Sequence, residues 1–258
     1  MSDALRVSED KQVATVSLNR PDVRNALNAD LIAELTQVYR ALGERSDLRA
    51  VVLQGEGSIF CGGADIKYMR AALELDQKQN YEDALRLSDL FAAIDDSPIP
   101  TLARVQGAAL GGGVGLIAVT DIVIAADDAL FGFTEAKLGI VPAVISPFVL
   151  RKIGQGHARA LFPTAERFDA DRALRIGLVH EVVPPAQLES QVESKVRELF
   201  SSGPGAARLA KKIAKTAGTL AHDQARTWTA QRIAEQRVSA EGQEGLRAFL
   251  EKRRPSWH

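Results

Sequence analysis

Two glycine-rich stretches, Gly62-Gly63-Ala64-Asp65 and Leu110-Gly111-Gly112-Gly113, each stand at the head of a segment patterned as a helix. The first N–H groups of a helix lack intrahelical acceptors and lie at the positive end of its dipole. Two such ends converging on one oxygen would stabilise an oxyanion. The competing reading is that the glycines serve tight turns and close helix packing. Gly113-Val-Gly115-Leu-Ile-Ala118 also matches the relaxed dinucleotide fingerprint Gly-x-Gly-x-x-Ala, which raises NAD binding as another class of function. Its context is wrong: five residues separate Gln106, a strand end, from Gly112, and the next strand ends in Ala125-Ala126 with no acidic residue to bind a ribose.

Other chemistries find less support. Cys61 has no histidine near it in sequence to activate a thiolate and reads as a small wall residue. His157, His180, His222 and His258 are scattered and read as structural or surface groups, with His180 in or beside a strand. A Gly-x-Ser-x-Gly elbow, a Walker loop and zinc-spaced histidine pairs are all absent, so serine hydrolase, NTPase and metal-dependent hydrolase readings lose their usual signals. No metal is expected.

The elements that must position these loops read as α/β. Val13–Leu18 alternates with the period of a strand. Asn28 precedes Leu31, Leu35, Val38, Tyr39 and Leu42 at helical spacing, as an N-cap should, and the helix ends near Gly43. Ala50–Gln54 is a short apolar strand, followed by the glycine-bearing loop 55–63. A helix is predicted over Gln77–Asp95, stopped by Pro98 and Pro100, then strands over Thr101–Gln106 and Asp121–Ala125 flanking a small-residue helix that ends near Thr120. Strands joined through helices imply right-handed crossovers in one core. Beyond Pro142 strand signals almost vanish apart from Leu178–Val183, and helices such as Leu188–Leu199 and Thr219–Arg237 each carry one apolar face needing cover, by the core or another subunit.

With 46% hydrophobic and 25% charged residues among 258, the chain can bury a substantial core. The formal charge of −1, from 32 basic and 33 acidic residues, gives no global field toward nucleic acid or membrane, so an anionic ligand must be held locally. A single cysteine excludes an intrachain disulfide. Met1 to Lys11 lacks the apolar stretch of a leader, and no apolar run approaches the roughly 20 residues that span a bilayer, which predicts a cytoplasmic protein.

Five segments, in order, carry a resemblance over the whole chain: Asn19-Arg-Pro-Asp-Val-Arg-Asn-Ala-Leu27, Phe60-Cys-Gly-Gly-Ala-Asp-Ile66, Gly107-Ala-Ala-Leu-Gly-Gly-Gly113, Phe131-Gly-Phe-Thr-Glu-Ala-Lys-Leu-Gly-Ile-Val-Pro142 and Ala248-Phe-Leu-Glu-Lys-Arg253. Together they resemble the enoyl-CoA hydratase/isomerase (crotonase) superfamily. The resemblance implies an α/β fold, a crotonase-like ββα spiral core over 1–200 with a helical oligomerisation region over 201–258, and a homotrimer or homohexamer. It implies that the Ala64 and Gly112 N–H groups hold a thioester oxygen and that Glu135 is the acid/base. Coenzyme A would lie near Val23, Arg24, Ala26, Asp65 and Ile66, with Phe249 and Lys252 from the closing helix; Gly62, Lys67, Leu110, Gly115 and Thr134 complete the implied substrate site. The CoA thioester is then the substrate, and no separate cofactor is implied. Some relatives bind RNA, which the balanced charge here does not support.

The family's best-known hydratases carry a second carboxylate three residues beyond the oxyanion glycine, where this chain has Gly115. That departure leaves Glu135 alone, makes a Δ3,Δ2-enoyl-CoA isomerase a rival, admits a degenerate acyl-CoA-binding scaffold, and predicts extra room beside the substrate β-carbon. The segments 111–116 and 131–147 look most like bacterial methylglutaconyl-CoA hydratases of leucine metabolism, which interconvert 3-hydroxy-3-methylglutaryl-CoA and 3-methylglutaconyl-CoA, or like the related isohexenylglutaconyl-CoA hydratases. The distal carboxylate of such a substrate needs a cation or donors if buried. Lys67, Lys137 and Arg151 qualify by type, and each also reads as a solvated helix charge.

Overall fold

A computed structural model describes residues 3–258; Met1 and Ser2, the head of the segment read for a leader, lie outside the described residues. Among the described residues no helix is long and apolar enough to cross a membrane. The chain divides into two units, Met1–Ser97 with Thr101–Val192, and Pro98–Pro100 with Glu193–His258.

In the first unit, β1 (Leu5–Asp10) and β2 (Val13–Leu18) form an antiparallel hairpin that pairs Asp10 with Val13. Its two-residue turn puts Lys11 and Gln12 at φ 45° and 70°, the backbone of a primed hairpin turn. The expected alternation holds in β2, where Ala14, Val16 and Leu18 are fully buried. Helix α1 (Ala29–Gly43) starts at Asn28, whose side chain accepts the Leu31 N–H at 3.0 Å. Leu31, Leu35, Tyr39 and Leu42 face the core, each large apolar side chain contributing about 2 kcal/mol by burial.

The chain continues through β3 (Ala50–Gly55), α2 (Ile66–Ala72), α3 (Gln77–Asp95), β4 (Thr101–Val105), β5 (Ala108–Leu110), α4 (Gly112–Ala118), β6 (Ile122–Ala126) and β7 (Leu130–Gly132). Then come α5 (Ser146–Thr164), broken at Gly154, β8 (Arg167–Asp169), α6 (Ala170–Arg175) and β9 (Glu181–Val183). Six strands form one sheet in the order β1-β2-β3-β4-β6-β9, parallel except for the β1–β2 hairpin. His180 extends the β6–β9 ladder: its N–H donates to Val123 O, and its Nδ1 accepts the Val123 N–H at 2.8 Å.

A second, three-stranded sheet, β5-β7-β8, was not expected from the sequence. Its strands have three residues each, too short for alternation to show. They matter because β5 leads directly into α4 and β7 leads to the segment bearing Glu135.

The remaining helices are α7 (Leu188–Ser201), within which the division between units falls, α8 (Pro204–Thr216), α9 (His222–Val238) and α10 (Ala240–Leu250). In the second unit the Glu241 carboxylate of α10 accepts the Gly205 and Ala206 N–H groups at 2.8 and 2.7 Å and so caps α8. Glu244 and Glu251 hold Arg253 at the close of α10.

Candidate active site

The first glycine loop is bound to the second sheet by backbone hydrogen bonds. Cys61 N–H donates to Ala108 O at 3.1 Å, and Leu110 N–H donates to Cys61 O at 3.0 Å. The loop's other side is fixed by Leu27, whose N–H donates to Gly63 O and whose O accepts from Asp65 N–H, each at 2.8 Å. Ala64 sits between those two bonds in a parallel bridge with Leu27, so its own N–H points to the opposite side. Among the described residues the Ala64 N–H has no acceptor, and neither has the N–H of Gly112, the first residue of α4. The two donors expected to form an oxyanion site are thus both unpaired, on segments hydrogen-bonded to each other.

Gly111 is the hinge of this arrangement. Its φ of 50° and ψ of −117° close the position to other residues, and its N–H donates to Gly132 O at 2.9 Å. A Cβ placed there would come 3.4 Å from Glu135 Oε1 and 4.0 Å from Gly63 Cα. One point in space therefore borders both glycine loops and the carboxylate. At the far end of α4, Lys152 Nζ donates to Thr120 O at 2.6 Å, placing a cation where the helix dipole favours one.

Glu135 opens a short 3-10 helix, Glu135–Leu138, after Thr134. Its Oε2 is buried without a hydrogen-bond partner. Burial raises its pKa above the ordinary carboxylate value, only partly opposed by a backbone hydrogen bond. A carboxyl group in that state can exchange a proton nearer neutral pH.

A cavity of about 700 Å³ lies in front of the first loop, and Val23, Ala26, Gly62, Ala64 and Ile66 contribute to its wall. Its charges are Arg20, Arg24, Lys67 and Arg70 against Asp22 and Asp65, four cations to two anions. Arg20 is held by Asp65 at 2.7 Å and by Ala26 O at 2.5 Å, whereas Arg24, Lys67 and Arg70 make no ion pair among the described residues. Asp65 also caps α2 by accepting the Lys67 N–H at 2.7 Å. Burial pushes its carboxyl up, but the Arg20 and backbone hydrogen bonds outweigh that and hold it below the usual range.

All the cavity residues expected from the sequence are therefore together, with Leu110, Gly112, Thr134 and Glu135 in the adjoining segments. Phe249 and Lys252 belong to the second unit, Phe249 being 81% exposed on α10 and Lys252 at φ 55° just after it.

Gly115 requires a correction. It was expected to widen the site, yet a Cβ placed on it would come 2.5 Å from Ile145 Cγ2 and 2.6 Å from Phe91 Cζ. The volume that a larger residue would need is filled by these two side chains, and Gly115 itself is buried. The signal was hidden because Phe91 and Ile145 lie far from Gly115 in sequence. The glycines of the dinucleotide-like match are packing residues by the same criterion, since a Cβ on Gly113 would come 2.6 Å from Cys61 O. Cys61 is fully buried, and burial pushes its thiol up to about 12, which removes it as a nucleophile. Of the cations considered for a distal substrate carboxylate, Arg151 is engaged with Asp95 at 2.8 Å and lies over Phe148, Lys67 lines the cavity, and Lys137 is exposed on Glu135's own helical turn.

Known proteins resemble this chain along almost its whole length. The family model for enoyl-CoA hydratase/isomerase matches residues 8–258. The chain is 33% identical over 250 residues to the short-chain-enoyl-CoA hydratase of Clostridium acetobutylicum, covering 96% of this chain and 95% of that one. Among solved structures it is similar to an enoyl-CoA hydratase from Shewanella pealeana, with TM-score 0.93, 38% identity and coverage of 98% and 96%. It is also similar to Pseudomonas aeruginosa AtuE, with TM-score 0.95, 38% identity and coverage of 98% and 99%.

Proposed function

The chain belongs to the enoyl-CoA hydratase/isomerase family, and from that premise we propose that it hydrates a branched 2-enoyl-CoA, or dehydrates the product, with 3-methylglutaconyl-CoA and 3-hydroxy-3-methylglutaryl-CoA as the pair. The crotonase fold with C-terminal helices and an activity of enoyl-CoA hydratase type on an acyl-CoA come with the family. The acyl group is our own reading, supported by the resemblance of segments 111–116 and 131–147 to methylglutaconyl-CoA hydratases.

The observation that carries the chemistry is the placement of the desolvated Glu135 carboxylate against Gly111, next to the unpaired Gly112 N–H and the loop of Ala64. Water attacks the β-carbon while Glu135 takes its proton, and the negative charge moves to the thioester oxygen. There the Ala64 and Gly112 N–H groups act, one such donor being worth about 3 kcal/mol in the transition state. Protonated Glu135 then returns the proton to the α-carbon on the same face, so one carboxyl group completes the addition. Arg24, Lys67 and Arg70 supply cations for the phosphates of coenzyme A, and Val23, Ala26 and Ile66 supply apolar surface for its adenine. Region 201–258 is our proposed oligomerisation region, in a homotrimer or homohexamer.

A second reading, Δ3,Δ2-enoyl-CoA isomerisation, is favoured by the apolar packing at Gly115, where no group can share the handling of water. An assay that reads water uptake by mass and double-bond migration by chromatographic separation of the isomers distinguishes the two. Purified protein is given 3-methylglutaconyl-CoA, crotonyl-CoA and 3-hexenoyl-CoA, with Glu135→Gln in parallel. Water uptake by 3-methylglutaconyl-CoA, lost in the variant, supports the proposal; isomerisation of 3-hexenoyl-CoA alone replaces it with the second reading. Binding without turnover of any of the three would make the chain an acyl-CoA-binding scaffold.

A further inference from the structure

Gly111 and Gly115 lie one helical turn apart, about 6 Å along the axis of α4. Glu135 Oε1 borders the first, and Phe91 with Ile145 presses on the second, where a Cβ would meet Ile145 Cγ2 at 2.5 Å and Phe91 Cζ and Cε1 at 2.6 and 2.8 Å. The acid/base and this apolar pair are therefore successive neighbours along one helix.

We infer that Phe91, seated with Ile145 on Gly115, sets the size of the acyl group accepted beside Glu135. The inference rests on the acyl-CoA reading above and adds a specificity-determining residue to it. Phe91 is fully buried and meets Phe148 edge-on, with ring centroids 5.9 Å apart at 61°. Phe148 lies beneath Arg151, which bonds Asp95 at 2.8 Å, and Asp95 is one turn beyond Phe91 on α3. The ring is thus packed between α3, α4 and α5. Ile145, at the head of α5, closes the segment that begins with Glu135 ten residues earlier. Shortening Phe91 opens space on this face of α4, and adding a methyl group at position 115 overfills it.

The test compares kcat/KM on crotonyl-CoA and 2-hexenoyl-CoA for wild type, Phe91→Leu, Phe91→Ala, Gly115→Ala and the Phe91→Ala/Gly115→Ala pair. Phe91→Ala is expected to move the hexenoyl-to-crotonyl ratio at least about tenfold toward hexenoyl, a usual effect of methylene-sized changes in an apolar pocket. Phe91→Leu moves it the same way by less and covers the case in which the alanine variant does not fold. Gly115→Ala lowers both rates, and the double variant returns the ratio to within about threefold of wild type, because contacting residues couple. An unchanged ratio in folded Phe91→Leu overturns the inference and leaves Phe91 a core residue only. Wild-type inactivity on every enoyl-CoA overturns the activity reading separately. In that case dissociation constants of butanoyl- and hexanoyl-CoA decide the inference, which fails if Phe91→Leu changes both equally.

Discussion

Glu135 combines burial, an unpartnered oxygen and a raised pKa, and those three properties make opposite demands on activity and stability. A carboxyl group whose folded pKa exceeds its ordinary value of 4.5 holds its proton more tightly in the folded chain. Its neutral form therefore favours folding below that ordinary value, and the benefit is lost as pH rises through the folded pKa. At pH 7 the charged carboxylate destabilises the protein. Glu135→Gln should accordingly lower the hydration rate by about 10² to 10⁴-fold while raising Tm at pH 7. The Tm difference should shrink as both proteins are acidified toward pH 4. Thermal unfolding at the two pH values, beside the rate assay, checks both; a lower Tm for the variant at pH 7 would show that the carboxylate is not desolvated. The same raised pKa predicts that hydration, which in the proposed mechanism needs the carboxylate, declines on acidification at a pH above the usual carboxylate range.

At the level of elements, the site depends on a backbone turn that only glycine suits. Gly111→Ala must strain φ 50° and push a methyl group to 3.4 Å from Glu135 Oε1. The strain costs about 1–3 kcal/mol, and relaxing it by shifting the turn, with its Gly112 N–H, away from Glu135 should reduce kcat about 10²-fold with a smaller change in KM, as steady-state kinetics would show. The glycine loops, the Asn28 cap and the periodic strands and helices were legible because each signal is local and several residues long. The β1–β2 hairpin was not, since its turn residues, Lys11 and Gln12, lack the Asn-Gly chemistry that usually marks such turns. The three-residue strands β5, β7 and β8 were too short to read, and the packing of Phe91 and Ile145 on Gly115 joins residues 24 and 30 positions apart. The hairpin offers its own test. Lys11→Asn/Gln12→Gly relieves two left-handed residues and should add roughly 1 kcal/mol, or about 2–4 °C in Tm, with enoyl-CoA turnover unchanged. A Tm at or below wild type would mean that the turn's strain is offset by contacts of the replaced side chains.

For the whole molecule, charge and apolar surface point to different partners. A formal charge of −1 cannot draw an anion from afar, yet the cavity gathers four cations against two anions, so recognition of a phosphate-bearing ligand is local and only weakly sensitive to distant charge. The second unit carries an exposed apolar stripe of its own. In the second unit, Leu246, Phe249 and Leu250 are 50%, 81% and 78% exposed at helical spacing on α10, and Val238 at the end of α9 is 78% exposed. A stripe of this kind is stabilised by covering it, and another copy of the chain is the cover proposed above. Sedimentation of the wild-type protein should therefore give a trimer or hexamer, and Phe249→Asp/Leu250→Asp should release smaller species by placing charge on the contact. Because Phe249 and Lys252 were expected to meet coenzyme A, the released species should show a raised KM for acyl-CoA with kcat falling less, Ala64, Gly112 and Glu135 all belonging to the first unit. Dissociation with KM unchanged would separate the two roles, leaving α10 to assembly alone; a wild-type monomer in solution would remove the assembly role.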